Sequence, residues 1–220
     1  MSLRERWKTE RLQASAYDYA VQNRYLSRLG ARVLWNYDIT HLRQNIAAQD
    51  PSALTLDIPC GGGLAVGDNP RHIAADLSWT MLTRARRKTA TLLQADIYAL
   101  PFPTATFDAC VTYNGLHCLP DPAAAVAELA RVLRPGGTLR GTTIVRGTSR
   151  DPLIRLMQRK GLFGPSGTIT DVRTWLTAAG LTNIILTPSG AITGFTAQRP
   201  PDPAPGKIGT HHPPPSAKVD

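Results

Sequence analysis

At 220 residues and 23.8 kDa the chain has room for one domain with additions, not two full domains. Its 42% hydrophobic content excludes wholesale disorder, and no apolar run reaches the roughly 18–20 residues of a membrane span. The net charge of +9 admits an anionic partner, whereas three scattered cysteines (Cys60, Cys110, Cys118) exclude a disulfide framework or a structural zinc site.

Met1 to Lys8 is charged with no apolar stretch behind it, so no secretory leader and a cytoplasmic location are expected. Residues 1–16 are polar and without period. From about Asp18 to Gln49, Val21, Tyr25, Leu29, Val33, Leu34, Tyr37, Leu42 and Ile46 recur at helical spacing. They predict one or two helices, broken near Gly30 and ended by Asp50-Pro51. Ala53–Ile58 reads as a buried strand, and Pro59-Cys60-Gly61-Gly62-Gly63 as a tight turn. Ile73–Asp76 is a second strand, followed by a helix from Trp79 to about Arg87 capped by Ser78. Thr91–Asp96 and Phe107–Tyr113 are further strands. Asp121-Pro122 opens a helix with Ala125, Val126, Leu129, Val132 and Leu133 on one stripe, stopped by Pro135-Gly136-Gly137. Thr138–Val145 is a fifth strand. Residues 150–164 read as an amphipathic helix with Leu153, Ile154, Leu156 and Met157 apolar and an inward stripe of Leu153, Leu156, Met157 and Phe163. Asp171 caps a helix that runs to Gly180, and Thr182–Thr187 with Ala191–Gln198 make a final strand pair.

Strands alternating with helices predict a mostly parallel sheet covered on both faces. The last two strands lie too close for a crossover, so one is antiparallel. Seven prolines in residues 199–220 predict a disordered or polyproline-like tail, which could also serve as a docking ligand.

A glycine-rich turn after a first strand lets a ligand approach the backbone, a device common to many cofactors. A phosphate-binding P-loop fails because no Gly-Lys-Ser/Thr follows. A nicotinamide fingerprint fits poorly, because Val66 stands at the third glycine position and Asp76 lies only 15 residues after Gly61. The acids are more informative. Asp57, Asp76 and Asp96 end strands one, two and three, so a parallel sheet brings all three to one edge. There a carboxylate can accept both hydroxyls of a ribose, another can accept from an adenine amino group, and a third can face an ammonium.

On these residues the stretch from Leu54 to about Val145 resembles the class I S-adenosylmethionine-dependent methyltransferases, most closely the group that includes ubiquinone/menaquinone-biosynthesis enzymes. Leu56–Gly63 is similar to the glycine-rich first motif. Ala75–Arg86 is similar to the family's D-x-S-x-x-M-L-x-x-A-R, and Gln94–Phe102 to its G-D-A-x-x-L-P-F. Phe107-Asp108 with Tyr113–Pro122 resembles the fourth strand and its loop, and Arg131–Gly137 the R-V-L-K-P-G-G before strand five.

The resemblance implies a single Rossmann-like, doubly wound α/β domain. Its seven-stranded, mostly parallel sheet has one antiparallel strand, with N-terminal helices and a small helical lid after strand five. Residues 1–50 become a helical cap, 51–198 the methyltransferase domain with a lid insertion at about 147–168, and 199–220 the tail. It implies S-adenosyl-L-methionine as donor, with S-adenosyl-L-homocysteine as product, and no metal. Asp57, Cys60, Gly61, Gly63, Asp76, Leu77, Asp96, Ile97 and Asn114 are the expected donor-binding residues. His117 is the candidate base, with Tyr17, Tyr19 and Tyr113 behind it, although a histidine in that loop can equally be structural. Cys60 reads as a small packing residue beside the donor. The paired His211 and His212 are a weak metal look-alike.

Two departures stand out. Pro59 replaces the usual glycine, and only twelve residues separate Gly63 from Asp76, where the family fits a full helix. The apolar cap and lid favour a small hydrophobic acceptor, such as a quinone, polyketide, phenol or lipid precursor, methylated at oxygen or carbon. A non-catalytic donor-binding protein is one alternative. A nucleic-acid methyltransferase is another, suggested by eight basic residues against one acid across 131–160 but unsupported by any nucleic-acid motif. The expected assembly is a monomer or homodimer.

Overall fold

The computed structural model describes residues 24–67, 69–86 and 91–202. Tyr17, Tyr19, His211, His212 and the proline-rich stretch from 203 onward lie outside them. Two helices come first, α1 (Arg24–Trp35) and α2 (Ile39–Ala47). The break falls at Asn36 and not at Gly30, which sits inside α1 with open space around it. A single glycine costs a helix about 1 kcal/mol and does not stop it. Asn36 takes a left-handed φ of +50°, and Asp38 then caps α2 by accepting the Thr40 amide at 2.9 Å.

The strands β1 (Thr55–Asp57), β2 (His72–Asp76), β3 (Leu92–Gln94), β4 (Phe107–Tyr113), β5 (Leu133–Ile144), β6 (Thr182–Ser189) and β7 (Ile192–Gln198) form one sheet. Its order is β3-β2-β1-β4-β5-β7-β6. Pairings are parallel from β3 through β5, and β7 runs antiparallel between β5 and β6. The chain winds outward from β1 to β3, then crosses back to β4. That reversal opens a crevice at the carboxyl ends of β1 and β4.

Helices α3 (Trp79–Ala85), α4 (Pro122–Val132), α5 (Asp151–Arg159) and α6 (Ile169–Ala178) complete the fold. On one face Leu56, Ile58, Cys110, Leu139 and Phe195 pack with Leu129 of α4 and Leu176 of α6. On the other, Val111, Tyr113, Ile144 and Ile192 meet Tyr37, Leu42 and Ile154. The start of α6 differs from the sequence reading. Thr168 is the cap, because its hydroxyl accepts the Asp171 amide at 3.2 Å while the Asp171 carboxylate accepts the Thr168 amide at 2.7 Å. Ser78 holds the cap position of α3 but its side chain makes no capping bond.

Two arginines close the far end. Arg131 donates to both Glu128 oxygens at 2.8 Å and to the Phe102 carbonyl at 3.0 Å, holding the loop after β3. Just beyond β7, Arg199 donates from one guanidinium nitrogen to the carbonyls of Ala130, Arg131 and Leu133, capping the end of α4.

Gly141 sits in β5, where a Cβ would run into the Thr112 carbonyl and the Phe195 ring. Gly141→Ala is therefore expected to cost about 3 kcal/mol and lower the melting temperature by about 10 °C, read by calorimetry.

Candidate active site

The crevice is a cleft of about 1110 Å³, counted out to solvent, over the ends of β1, β2 and β4. Its floor is the loop after β1. Cys60 donates its amide to the Ala75 carbonyl at 2.8 Å, which pins the loop to β2. Gly61 follows with φ +52°, a value that favours glycine, and its amide donates to Asp76 Oδ2 at 2.9 Å. Pro59 stands where the family's glycine was expected, after a cis peptide bond, and its ring lies against Gly115. A Cβ on Gly115 would come within 2.6 Å of that ring, so proline at one position requires glycine at the other.

Between Gly63 and β2 the described residues form turns and no helix. The site therefore lacks a helix N-terminus at this point among the described residues.

Asp76 ends β2 at 7% exposure. Its second oxygen accepts the Ser78 amide at 2.8 Å. Burial is the main influence on its carboxyl and pushes its pKa up to about 6, against the pull of those amides. Each oxygen retains a lone pair for a further donor. Beside it lie Leu77, Ile97 and Asp96, whose Oδ1 accepts the Tyr98 amide at 3.1 Å. Asn114 takes φ +55° after β4, and its side-chain oxygen accepts from the Thr142 hydroxyl at 3.0 Å.

The structure thus gathers Cys60, Gly61, Asp76, Leu77, Asp96, Ile97 and Asn114 around one cleft. Three of the expected residues do not line it. Gly63 turns with φ +76° against Ala85 of α3. Asp57 lies beneath the loop at 2% exposure, with its Oδ2 3.5 Å from Nε2 of an equally buried His72. Burial raises the Asp57 carboxyl and His72 draws it back. His117 is 2% exposed, with Nδ1 3.5 Å from the Ile144 amide and its ring edge-on to Phe163 at 4.5 Å. Burial drives its imidazole down to about 3, so it stays neutral near pH 7.

Sequence reasoning passed over Met81, Tyr98, Cys118, Leu119 and Pro120, which also line the cleft. Cys118 is pushed up to about 12 by burial and by the charge of Asp76. Tyr113 lines the cleft too, but its hydroxyl donates to Asn45 Oδ1 at 3.0 Å and accepts from Gln49 at 3.3 Å, which ties α2 to the rim. The lid helix α5 turns differently from expectation. Ile154 is its buried residue, Leu153 and Met157 are half-buried, and Leu156 is 44% exposed. Phe163, beyond the helix, stacks near both His117 and Trp35 of α1 (5.8 Å), so cap, lid and rim meet in one aromatic row. The basic stretch is not a single face. Arg131 and Arg134 are paired with Glu128 and Asp108, and Arg146 holds the Ser166 carbonyl.

A family profile described as a methyltransferase domain matches residues 56–140. An uncharacterized chloroplastic methyltransferase of Arabidopsis thaliana is 32% identical, over 67% of this chain and 47% of its own length. The ubiquinone/menaquinone biosynthesis C-methyltransferase of Enterobacter sp. (strain 638) is 34% identical, over 56% of this chain and 53% of its own. Residues 56–140 of the chain are a methyltransferase domain of this kind. The chain spans about half the length of these two relatives. A Thermotoga maritima S-adenosylmethionine-dependent methyltransferase, possibly a histamine N-methyltransferase, shares the fold at TM-score 0.65 and 15% identity, over 82% of this chain and 98% of that one. Among the described residues no helix is long and apolar enough to cross a membrane.

The cleft fits the methyltransferase donor. With the donor bound, Asp76 would have an acceptor lone pair on each oxygen for the ribose and Leu77 and Ile97 apolar surface for the adenine, while Gly61 puts no side chain into the cleft. The raised pKa sets two signs. Ionised Asp76 costs the fold stability: its contribution is full below the ordinary carboxylate range near 4 and is lost as pH rises through about 6. Donor affinity runs the other way, because the ionised form is the better acceptor. Titration calorimetry is expected to show affinity falling as pH drops through about 6, and Asp76→Ala is expected to bind roughly tenfold more weakly at pH 8, about 1.4 kcal/mol.

Proposed function

We propose that this protein transfers the methyl group of S-adenosylmethionine to an oxygen or carbon of a small apolar metabolite, a quinone, polyketide, phenol or lipid precursor. The observation that carries this reading is the character of the cleft away from Asp76. Leu64, Tyr113, Cys118, Leu119 and Pro120 line it, an apolar surface with no group that titrates near neutral pH. In this reading residues 51–198 are the catalytic domain, α1 and α2 its cap, and residues of about 147–168 its lid.

The bound donor supplies an electrophilic methyl on a sulfonium and leaves as S-adenosyl-L-homocysteine. The residues of the chain supply placement. Asp76 and Gly61 fix the ribose end, and Leu77 and Ile97 flank the base. Tyr113 and Asn114 border the acceptor end, where the rim is stiffened by the Asn45 and Thr142 contacts. Bringing the two reactants into line is the main contribution such a site makes. With His117 buried and neutral, an acceptor that ionises by itself, such as a phenol or an activated carbon acid, suits the site best. Relatives of similar sequence include a C-methyltransferase of quinone biosynthesis, which supports the same class.

The test is transfer of label from methyl-tritiated donor to a panel of quinols, phenols and lipid extracts, with oligonucleotides alongside. Label in the organic phase supports the reading, and label confined to nucleic acid overturns it. Once an acceptor is found, Phe163→Ala is expected to raise its KM roughly tenfold while donor affinity holds, because the aromatic row closes the acceptor side. The pH–rate profile of the wild type is expected to show no step assignable to His117 between pH 5 and 8.

A further inference from the structure

Among its described side chains, helix α1 turns four apolar ones outward. Ser27 (8% exposed) and the half-buried Ala31 and Trp35 face the body of the protein. Leu29, Val33 and Leu34 are 64, 57 and 47% exposed, and the Tyr25 ring is 82% exposed. A helix of a water-soluble domain normally shows the reverse. Tyr25, Leu29 and Val33 form a row at i, i+4, i+8, and the exposed Arg28 and Arg32 run along one side of it. Across residues 24–47 four arginines stand against one acid, Asp38.

We propose that α1 docks this protein on an anionic lipid surface, with its apolar row in the acyl boundary and its arginines among the lipid phosphates. An outward apolar row flanked by arginine is what an interfacial helix requires. A second copy of the chain fits less well. A 12-residue helix is about 18 Å long, and four side chains along it cover well under the about 800 Å² per partner of a stable interface. Face-to-face packing would also bring Arg28 and Arg32 toward their own copies. The inward side of the same helix carries Trp35, 5.8 Å from Phe163 of the lid, so docking through α1 brings the lid to the membrane surface. Docking would thus present the acceptor side to molecules dissolved in the bilayer, a consequence that rests on the apolar-acceptor reading although the docking itself does not.

The experiment is co-sedimentation of the full chain with phosphatidylcholine vesicles, with and without phosphatidylglycerol, at low and physiological salt. Vesicles containing phosphatidylglycerol are expected to carry the protein down, and neutral ones to carry much less. Leu29→Glu with Val33→Glu is expected to weaken binding roughly tenfold, and Arg28→Ser with Arg32→Ser to remove most of its salt dependence. Both pairs are exposed, so melting temperature and donor affinity should hold, which separates lost docking from lost folding. Wild-type protein that stays in solution with anionic vesicles overturns the proposal. So does Leu29→Glu/Val33→Glu protein that binds vesicles as the wild type does. A dimer in sedimentation velocity that this same pair dissolves assigns the face to self-association instead, and binding to an oligonucleotide but not to vesicles assigns it to nucleic acid. None of these readings uses methyl transfer, so failure to find an acceptor leaves them intact.

Discussion

Burying a carboxylate is costly unless donors meet its oxygens, and Asp76 finds one donor for each in backbone from two separate segments. One oxygen takes the amide of Gly61 in the loop after β1, and the other takes the amide of Ser78 at the head of α3. The loop, the strand end and the helix start are thereby fixed to a single side chain. The left-handed turn at Gly61 aims its amide at that carboxylate. The same atoms then face the cleft, so loop geometry and ligand geometry are not independent.

The order of strands and the acids at their ends were legible because each depends on local pattern: short apolar runs, glycine punctuation and an acid where a strand stops. Asp76, Asp96 and Asn114 fall on one rim for that reason. What was not legible depends on packing across the chain. Asp57 reads like its two fellow acids, yet it belongs to the sheet interior, because a histidine fifteen residues later turns toward it from β2. His117 follows the rim in sequence but is drawn under Phe163 from the lid. Leu156 falls on an apolar stripe by periodicity, whereas the contact with Tyr37, Ile144 and Ile192 selects Ile154. The spacing of Tyr25, Leu29 and Val33 predicted the helix that α1 is, but spacing defines a stripe without saying which way it faces, and the exposure of that row had to come from the packing.

The short link from Gly63 to β2 shows how little of the usual connection the sheet needs. The amide of Cys60 on β2, the pairing of β1 with β2, and Ala85 of α3 pressed on Gly63 keep the turn in place without an intervening helix. The interlock of Pro59 with Gly115 ties the same turn to the loop after β4. The support for the floor of the cleft therefore comes from its neighbours on either side.

The clasp of Arg199 on the carbonyls at the end of α4 has a practical consequence. Because β7 runs antiparallel to β5, Gln198 lies opposite Thr138, where β5 enters its ladder with β4, and the cleft lies past the other end of that ladder. Seven paired residues at about 3.3 Å each put roughly 20 Å of sheet between them. Residues 199–202 therefore leave the sheet at the edge opposite the mouth of the cleft, so a change at the clasp acts on the fold without touching the entrance a ligand uses.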